Sequence, residues 1–220
     1  MKLYDEGYAG QTLFDDWLAN IGEILPPPIS VKSSLYRRWL VSLINSIPES
    51  SRGVLSIGSG LGYTEVALQN SGLQIVASDS HPRAVSICRK QGLSTIEFDF
   101  FCGNIPKSKK FQVIYLDGVF GHLWLDETSG AKIWNRLSEI KPDAIVVASN
   151  DIADELTPSW EMTNLPDHKF FRPQSYWYSC DAKKHGWETQ FIRKIPYSRR
   201  GKKRFREVLV LSTDVRMGNM

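Results

Sequence analysis

The chain has 220 residues, 42% of them hydrophobic and 11% aromatic, with a formal net charge of +3. A chain of that length buries roughly 70% of its unfolded surface as one domain, and the composition excludes a disordered protein. No apolar run approaches the roughly 20 residues of a membrane span, and no signal-peptide pattern opens the chain, so no membrane partner is expected.

Residues 1–30 carry Tyr4, Asp5, Tyr8, Phe14 and Trp17 ahead of Pro26-Pro27-Pro28. The stretch from Phe14 to Leu25 predicts a short helix ended by the prolines. Ser33 or Ser34 then opens a helix with Leu35, Trp39, Leu40, Leu43, Ile44 and Ile47 at helical spacing, suited to covering one face of a sheet. Pro48 to Arg52 turns into the stretch Gly53 to Leu68, G-V-L-S-I-G-S-G-L-G-Y-T-E-V-A-L. Val54, Leu55 and Ile57 predict a strand buried on both faces. Gly58, Gly60 and Gly62 follow at alternate positions. Thr64 is expected to cap a helix led by Val66, Ala67 and Leu68, with Glu65 in its first turn. Glycines suit such a corner because the backbone must turn tightly and come close to a ligand, where a Cβ would intrude. The spacing is G-x-G-x-G, with Tyr63 where the dinucleotide pattern G-x-G-x-x-G has its third glycine, which disfavours a nicotinamide enzyme.

The second strand is predicted at Leu73 to Ala77, closed by Ser78-Asp79. Asp79 stands 21 residues beyond Gly58, a position from which a carboxylate accepts both hydroxyls of a ribose. It also suits a cap for the helix predicted from Pro82 to Lys90. A third strand covers Thr95 to Phe98, followed by Asp99-Phe100. The fourth, Phe111 to Leu116, ends at Asp117-Gly118 and leads into V-F-G-H-L-W, which puts Asp117, Phe120 and His122 at the carboxyl ends of the central strands. Ala131 to Ile140 predicts an amphipathic helix with Ile133, Trp134, Leu137 and Ile140 on its apolar side. Ala144 to Ala148 is the fifth strand, ended by Ser149-Asn150-Asp151.

Residues 154–173 predict an irregular, aromatic-rich insert of the kind that serves as a lid. A short helix over Gln174 to Lys184 and two antiparallel strands, Glu188 to Pro196 and Phe205 to Thr213, complete the chain, with S-R-R-G-K-K between the strands. Residues 181–220 hold eleven Lys/Arg against four Asp/Glu, a balance of +7 that leaves −4 for residues 1–180. Cys88, Cys102 and Cys180 have no metal-ligand spacing and predict reduced thiols in the cytoplasm, with no metal site.

Over residues 53–213 these landmarks together resemble the class I S-adenosylmethionine-dependent methyltransferases. The resemblance implies an α/β, Rossmann-like, seven-stranded methyltransferase fold, a mostly parallel sheet with an antiparallel C-terminal hairpin and helices on both faces. It implies a single domain over 1–220, with 1–50 as N-terminal cap and helix and 154–173 as a substrate lid. It implies S-adenosyl-L-methionine as cofactor, held by Gly58, Ser59, Gly60, Gly62, Asp79, Ser80, Asp99, Phe100, Asp117 and Tyr8. Of these, Asp99 would accept from the adenine amino group. Tyr8 would lie near the methionine end. One departure matters: Ser56 occupies the position where the family commonly has Asp or Glu near the methionine amino group, and a serine cannot supply that charge. The implied chemistry is in-line displacement at an already activated methyl, in which the enzyme mainly aligns the nucleophile. Where a proton must leave the acceptor, His122 is the first candidate base, with Asp117 and Asp151 next.

The aromatic lid fits a small organic acceptor, and the motifs of two other acceptor classes are absent. After the fourth strand stands L-D-G-V, not the N-P-P-[YF] of amino-methylating nucleic-acid and glutamine enzymes, and no Pro-Cys pair supplies a cytosine-C5 nucleophile. A hydroxyl or amine of a small organic molecule is the expected acceptor. The basic C-terminal hairpin also allows RNA or a phosphorylated substrate, since Lys/Arg clusters bind phosphate through charge. A non-catalytic cofactor-binding protein is the third reading.

Overall fold

In the computed structural model, residues 18–19, 28–104, 111–126, 128–154, 159–162, 169–199 and 201–213 are described, with 161–162 as backbone. The chain divides into two compact units, Met1–Tyr115 and Leu116–Met220. The predicted helix Phe14–Leu25 falls outside the described residues, apart from helical Leu18 and Ala19, as do Tyr4 and Tyr8.

In the first unit, a single helical turn α1 (Ile29–Lys32) precedes α2 (Ser34–Asn45). Ser33 caps α2, its Oγ accepting from the Tyr36 N–H at 3.1 Å, a contact worth about 1 kcal/mol. Leu40, Ile44 and Ile47 are fully buried, whereas Leu35 is 69% exposed and leaves the expected apolar stripe. A 3₁₀ turn, Pro48–Arg52, leads into β1 (Val54–Ile57), whose four side chains are all buried. Next come α3 (Tyr63–Asn70), β2 (Ile75–Asp79), α4 (Pro82–Lys90) and β3 (Ser94–Glu97). The helix after the glycines starts two residues earlier than expected. Gly62, in the left-handed region at φ +71°, holds the N-cap position, and Thr64 lies buried inside the first turn.

The strand β4 (Val113–Asp117) spans the boundary between the units. In the second unit, a 3₁₀ turn Phe120–His122 precedes α5 (Gly130–Ile140) and β5 (Ile145–Ile152). Ile133, Trp134, Leu137 and Ile140 are buried along α5, as its periodicity requires. The fifth strand does not stop at Ala148: Ser149, Asn150 and Asp151 continue it, all buried. Two short strands follow, β6 (Trp160–Met162) and β7 (Lys169–Phe171), then α6 (Trp177–Lys184), β8 (Glu188–Arg199) and β9 (Lys202–Ser212). The insert is therefore not wholly irregular. β6 and β7 pair antiparallel, Trp160 opposite Phe171, while 155–158 and 163–168 lie outside the described residues.

Seven strands are hydrogen-bonded in the order β3-β2-β1-β4-β5-β9-β8. β1 runs parallel to β2 and β4, and β2 parallel to β3. β9 runs antiparallel to both β5 and β8, so the chain ends in the expected reversed hairpin. The hairpin strands reach further than predicted, to Arg199 and from Lys202, into the stretch S-R-R-G-K-K that suggested a loop. In the second unit the core is aromatic: the Phe120 ring packs at 4.8–6.0 Å from Trp124, Trp134 and Tyr178, all fully buried. No helix among the described residues is long and apolar enough to cross a membrane.

Candidate functional site

In the first unit, Gly58, Gly60 and Gly62 all have positive φ, at +72°, +52° and +71°. A Cβ on Gly62 would also meet Cys88 Sγ at 2.9 Å and Leu93 Cδ1 at 3.1 Å. Glycine is required there twice over, by backbone conformation and by space. The turn is held from beneath: the N–H groups of Gly58 and Ser59 both donate to Ser78 O at 2.9 Å. Ser59 Oγ accepts from the Cys88 thiol at 3.5 Å, and burial pushes that thiol up to about 11, which marks it as inert packing.

Asp79 closes β2 beside this turn. Its Oδ2 accepts from the Gly60 N–H at 3.0 Å and its Oδ1 from the His81 N–H at 2.9 Å. Only 6% exposed, the carboxyl is raised above its ordinary range by desolvation, an effect that the two amide donors and His81 oppose. It locks the glycine turn, a role not expected from its spacing, and it stands as an acid at the end of β2. An ionised carboxylate has about four acceptor sites, so two amide donors leave capacity for ribose hydroxyls. The helix cap itself falls to His81, whose Nδ1 accepts from the Arg83 N–H at 3.2 Å. Ser80 between them is half-buried.

Asp99 begins a turn after β3. Its Oδ1 accepts from the N–H groups of Phe101 and Cys102 at 2.8 and 2.9 Å, and the Gly103 N–H bonds to its carbonyl. This is a local cap of the kind aspartate favours outside helices. Phe100 is 3% exposed and packs edge-on against Phe101.

In the second unit the predicted acids Asp117 and Asp151 are tied together by a residue of the basic C-terminal segment. Arg206 of β9 is 2% exposed. Its Nη1 donates to Asp117 Oδ1 at 3.0 Å and its Nε to Asp151 Oδ1 at 2.8 Å. Asp151 and Arg206 are direct cross-strand partners between β5 and β9. Ser149 Oγ also donates to Asp117, and the Tyr197 hydroxyl donates to Asp151 Oδ2 at 2.5 Å. Burial and the neighbouring Asp151 charge raise the Tyr197 hydroxyl well above its ordinary range, so it stays a donor. Two carboxylates clasped this way serve as the arms of an ion-paired network.

His122 stands apart from that network. It ends the 3₁₀ turn after β4, its N–H donating to Val119 O at 2.8 Å, and its half-buried ring meets the edge of Phe170 at 4.5 Å between centroids. Asn150, fully buried, anchors this turn. Its Oδ1 accepts from the Gly121 N–H at 3.1 Å, and its Nδ2 donates to Phe171 O and the Tyr178 hydroxyl, each at 2.8 Å. The insert thus brings Phe170 onto His122 through a fixed hydrogen-bond frame. Phe120, two residues away, faces the aromatic core.

Among solved structures the chain aligns with an S-adenosylmethionine-dependent methyltransferase from Methanosarcina mazei, at a TM-score of 0.65 over 77% of this chain and 96% of that one, with 12% identity. It aligns equally with the 1,6-didemethyltoxoflavin-N1-methyltransferase of Burkholderia thailandensis, at a TM-score of 0.64 over 84% and 81% of the two chains, again with 12% identity. The fold is that of the S-adenosylmethionine-dependent methyltransferases. No family model matches the sequence. By sequence, a tabtoxin biosynthesis enzyme of Pseudomonas amygdali pv. tabaci is 31% identical over 124 residues, 56% of this chain and about half the length of that enzyme, 49%.

On this methyltransferase fold, three features were missed in the sequence. Arg206 sits among tail cations, and only the β9 register, from Arg206 inward to Ser212 all buried, sets it apart. Asn150 looked like a strand-ending polar residue. Glu65 looked like a helix-favouring acid in a first turn, yet it is 4% exposed and accepts from Ser56 Oγ at 2.7 Å.

Proposed function

We propose that the protein is an S-adenosyl-L-methionine-dependent methyltransferase acting on a hydroxyl or amine of a small organic molecule. The observation that carries this reading is the left-handed glycine turn locked to a buried Asp79 on a methyltransferase fold. Gly58, Ser59, Gly60 and Gly62 form the backbone approach to the cofactor, Asp79 and Ser80 its ribose side, and Asp99 and Phe100 its adenine side, with Asp117 and Tyr8 completing the set. The cofactor supplies a methyl bound to a positively charged sulfur. The chain's own work is to align an acceptor with that methyl and to take up a proton when the acceptor loses one. His122 is the base in this reading, while Asp117 and Asp151, paired with Arg206, hold the ends of β4 and β5 in place. A small acceptor agrees with the aromatic residues of the 154–173 segment acting as a lid. It also agrees with the names of the relatives, a toxin-biosynthesis enzyme and a toxoflavin-precursor methyltransferase. The free thiols Cys88, Cys102 and Cys180 suit the reducing cytoplasm.

The test is methyl transfer from labelled cofactor to a panel of small hydroxy and amino compounds. His122→Ala should lower the rate by roughly 10²–10⁴-fold, remove the acidic limb of the pH–rate profile, and leave cofactor affinity within a few-fold. Binding of NAD in place of S-adenosylmethionine would sink the reading. Cofactor binding without turnover on any acceptor would favour a binding protein instead.

One observation favours a second acceptor class. Arg193, Lys194, Lys202 and Lys203 are exposed along the β8–β9 hairpin, where phosphates of RNA or of a phosphorylated substrate would be attracted. Turnover that falls steeply with salt would move the acceptor to that class.

A further inference from the structure

The turn that ends in His122 and the strand β7 that carries Phe170 meet on one fully buried side chain of β5, Asn150. Its Oδ1 accepts from the Gly121 N–H at 3.1 Å, and its Nδ2 donates to Phe171 O at 2.8 Å. The residues beside those two backbone groups are His122 and Phe170, whose rings lie 4.5 Å apart between centroids. Nδ2 also donates to the Tyr178 hydroxyl at 2.8 Å, and that hydroxyl donates to Phe171 O at 3.3 Å. Burial raises the Tyr178 hydroxyl well above its ordinary value, so it keeps the proton it donates. These partners fix which way the amide points. A flipped amide would set a donor against the Gly121 N–H and an acceptor against the Phe171 carbonyl.

Space closes the same junction. A Cβ on Gly121 would lie 2.6 Å from Phe171 O and 2.7 Å from both Nδ2 and Oδ1 of Asn150. Gly121 is not among the left-handed glycines, so close approach alone requires glycine there. The amide serves a backbone donor on one segment and a backbone acceptor on the other. Parting the segments would leave buried polar groups unsatisfied, which favours their staying together. We propose that Asn150 is a positioning residue of the reaction, coupling β7 to the turn of the candidate base so that the aromatic insert fixes the His122 imidazole against Phe170. A base must meet its proton in good alignment, and a misplacement of about 1 Å can cost about 10²-fold in rate. This inference rests on the reading of His122 as the base.

The experiment follows the histidine ring protons by NMR on the full chain, the His122 signals being those absent from His122→Ala. Phe170→Leu gives their position without the ring contact. Asn150→Ala should move the His122 signals to that position. With labelled cofactor and the panel of small hydroxy and amino compounds, it should also lower kcat by roughly 10–100-fold and leave the cofactor KM within a few-fold. Gly121→Ala wedges the junction open from the backbone side and should do the same; it carries the test where Asn150→Ala does not fold. His122 signals that stay in place in the folded variants overturn the coupling, and so does a moved signal with an unchanged rate, while the methyltransferase reading stands. Loss of folding in both variants reduces the junction to packing and overturns the inference too. Wild-type protein that methylates nothing on the panel overturns that reading and this inference with it.

Discussion

The glycine turn of the first unit and the Arg206 network of the second both surround buried aspartates, and they satisfy them in opposite ways. Asp79 is held by amide N–H groups from positions 60 and 81, close by in sequence or at the next corner of the chain. Asp117 and Asp151 are held by a guanidinium that arrives from 89 and 55 residues downstream. The first arrangement leaves a carboxylate with spare acceptor capacity beside a turn that can approach a ligand. The second sets two carboxylates around the guanidinium of Arg206, with Arg199 3.8 Å from Asp151 beside it. A buried acid can thus be satisfied by neutral amides or by a full charge, and losing the charge strands more than losing an amide does.

The largest expected effect breaks the second arrangement. Arg206→Met keeps the apolar stem and removes the cation shared by two buried carboxylates, leaving Asp151 only the longer contact to Arg199 at 3.8 Å, which should cost about 3–5 kcal/mol of stability. Denaturant unfolding measures this, and a loss under about 1 kcal/mol would show that the network is hydrated and no different from a surface pair. Replacing Asp117 and Asp151 by Asn in the same variant should recover much of the loss, because the stranded charges are then gone.

A smaller effect is expected at Asp79, and it sharpens the contrast by function and by pH. Asp79→Ala should weaken cofactor affinity by about 1–3 kcal/mol, read by calorimetry. Burial raises the Asp79 carboxyl, so its stabilising contribution is full below the ordinary value of 3.8 and is lost as pH rises through the raised value. Asp79→Asn cannot titrate. Its stability relative to wild type should therefore improve as pH rises from about 4 toward neutrality, and a flat difference over that range would contradict the assignment.

The smallest effect belongs to the outer hairpin. Lys202→Glu with Lys203→Glu changes exposed residues and should move stability by no more than about 0.5 kcal/mol. Thermal unfolding checks this, and a large loss would extend the Arg206 network to the hairpin tip.

Much of the fold was legible in the residues. Val54 to Ile57, Pro82 to Lys90 and the apolar side of α5 lie where their patterns put them, because local hydrophobic period and proline at the first helical turn act over a few residues. The terminal antiparallel pair was legible for the same reason. Boundaries were not. The fifth strand runs through Ser149, Asn150 and Asp151 because hydrogen bonds from Gly121, Tyr197 and Arg206 satisfy polar groups that alternation alone would assign to a loop.

The sequence by itself determined the glycine turn, since three left-handed positions demand glycine whatever surrounds them, and it determined the acid at the end of β2 by spacing from that turn. Only the tertiary structure decided the roles of the other charges. Glu65 is buried because α3 folds it back onto Ser56. Arg206 parts from the lysines beside it because the β5–β9 register sets it opposite Asp151. Charge is written in a sequence, but its partner, and therefore its burial and its chemistry, depends on which distant strand the chain brings alongside.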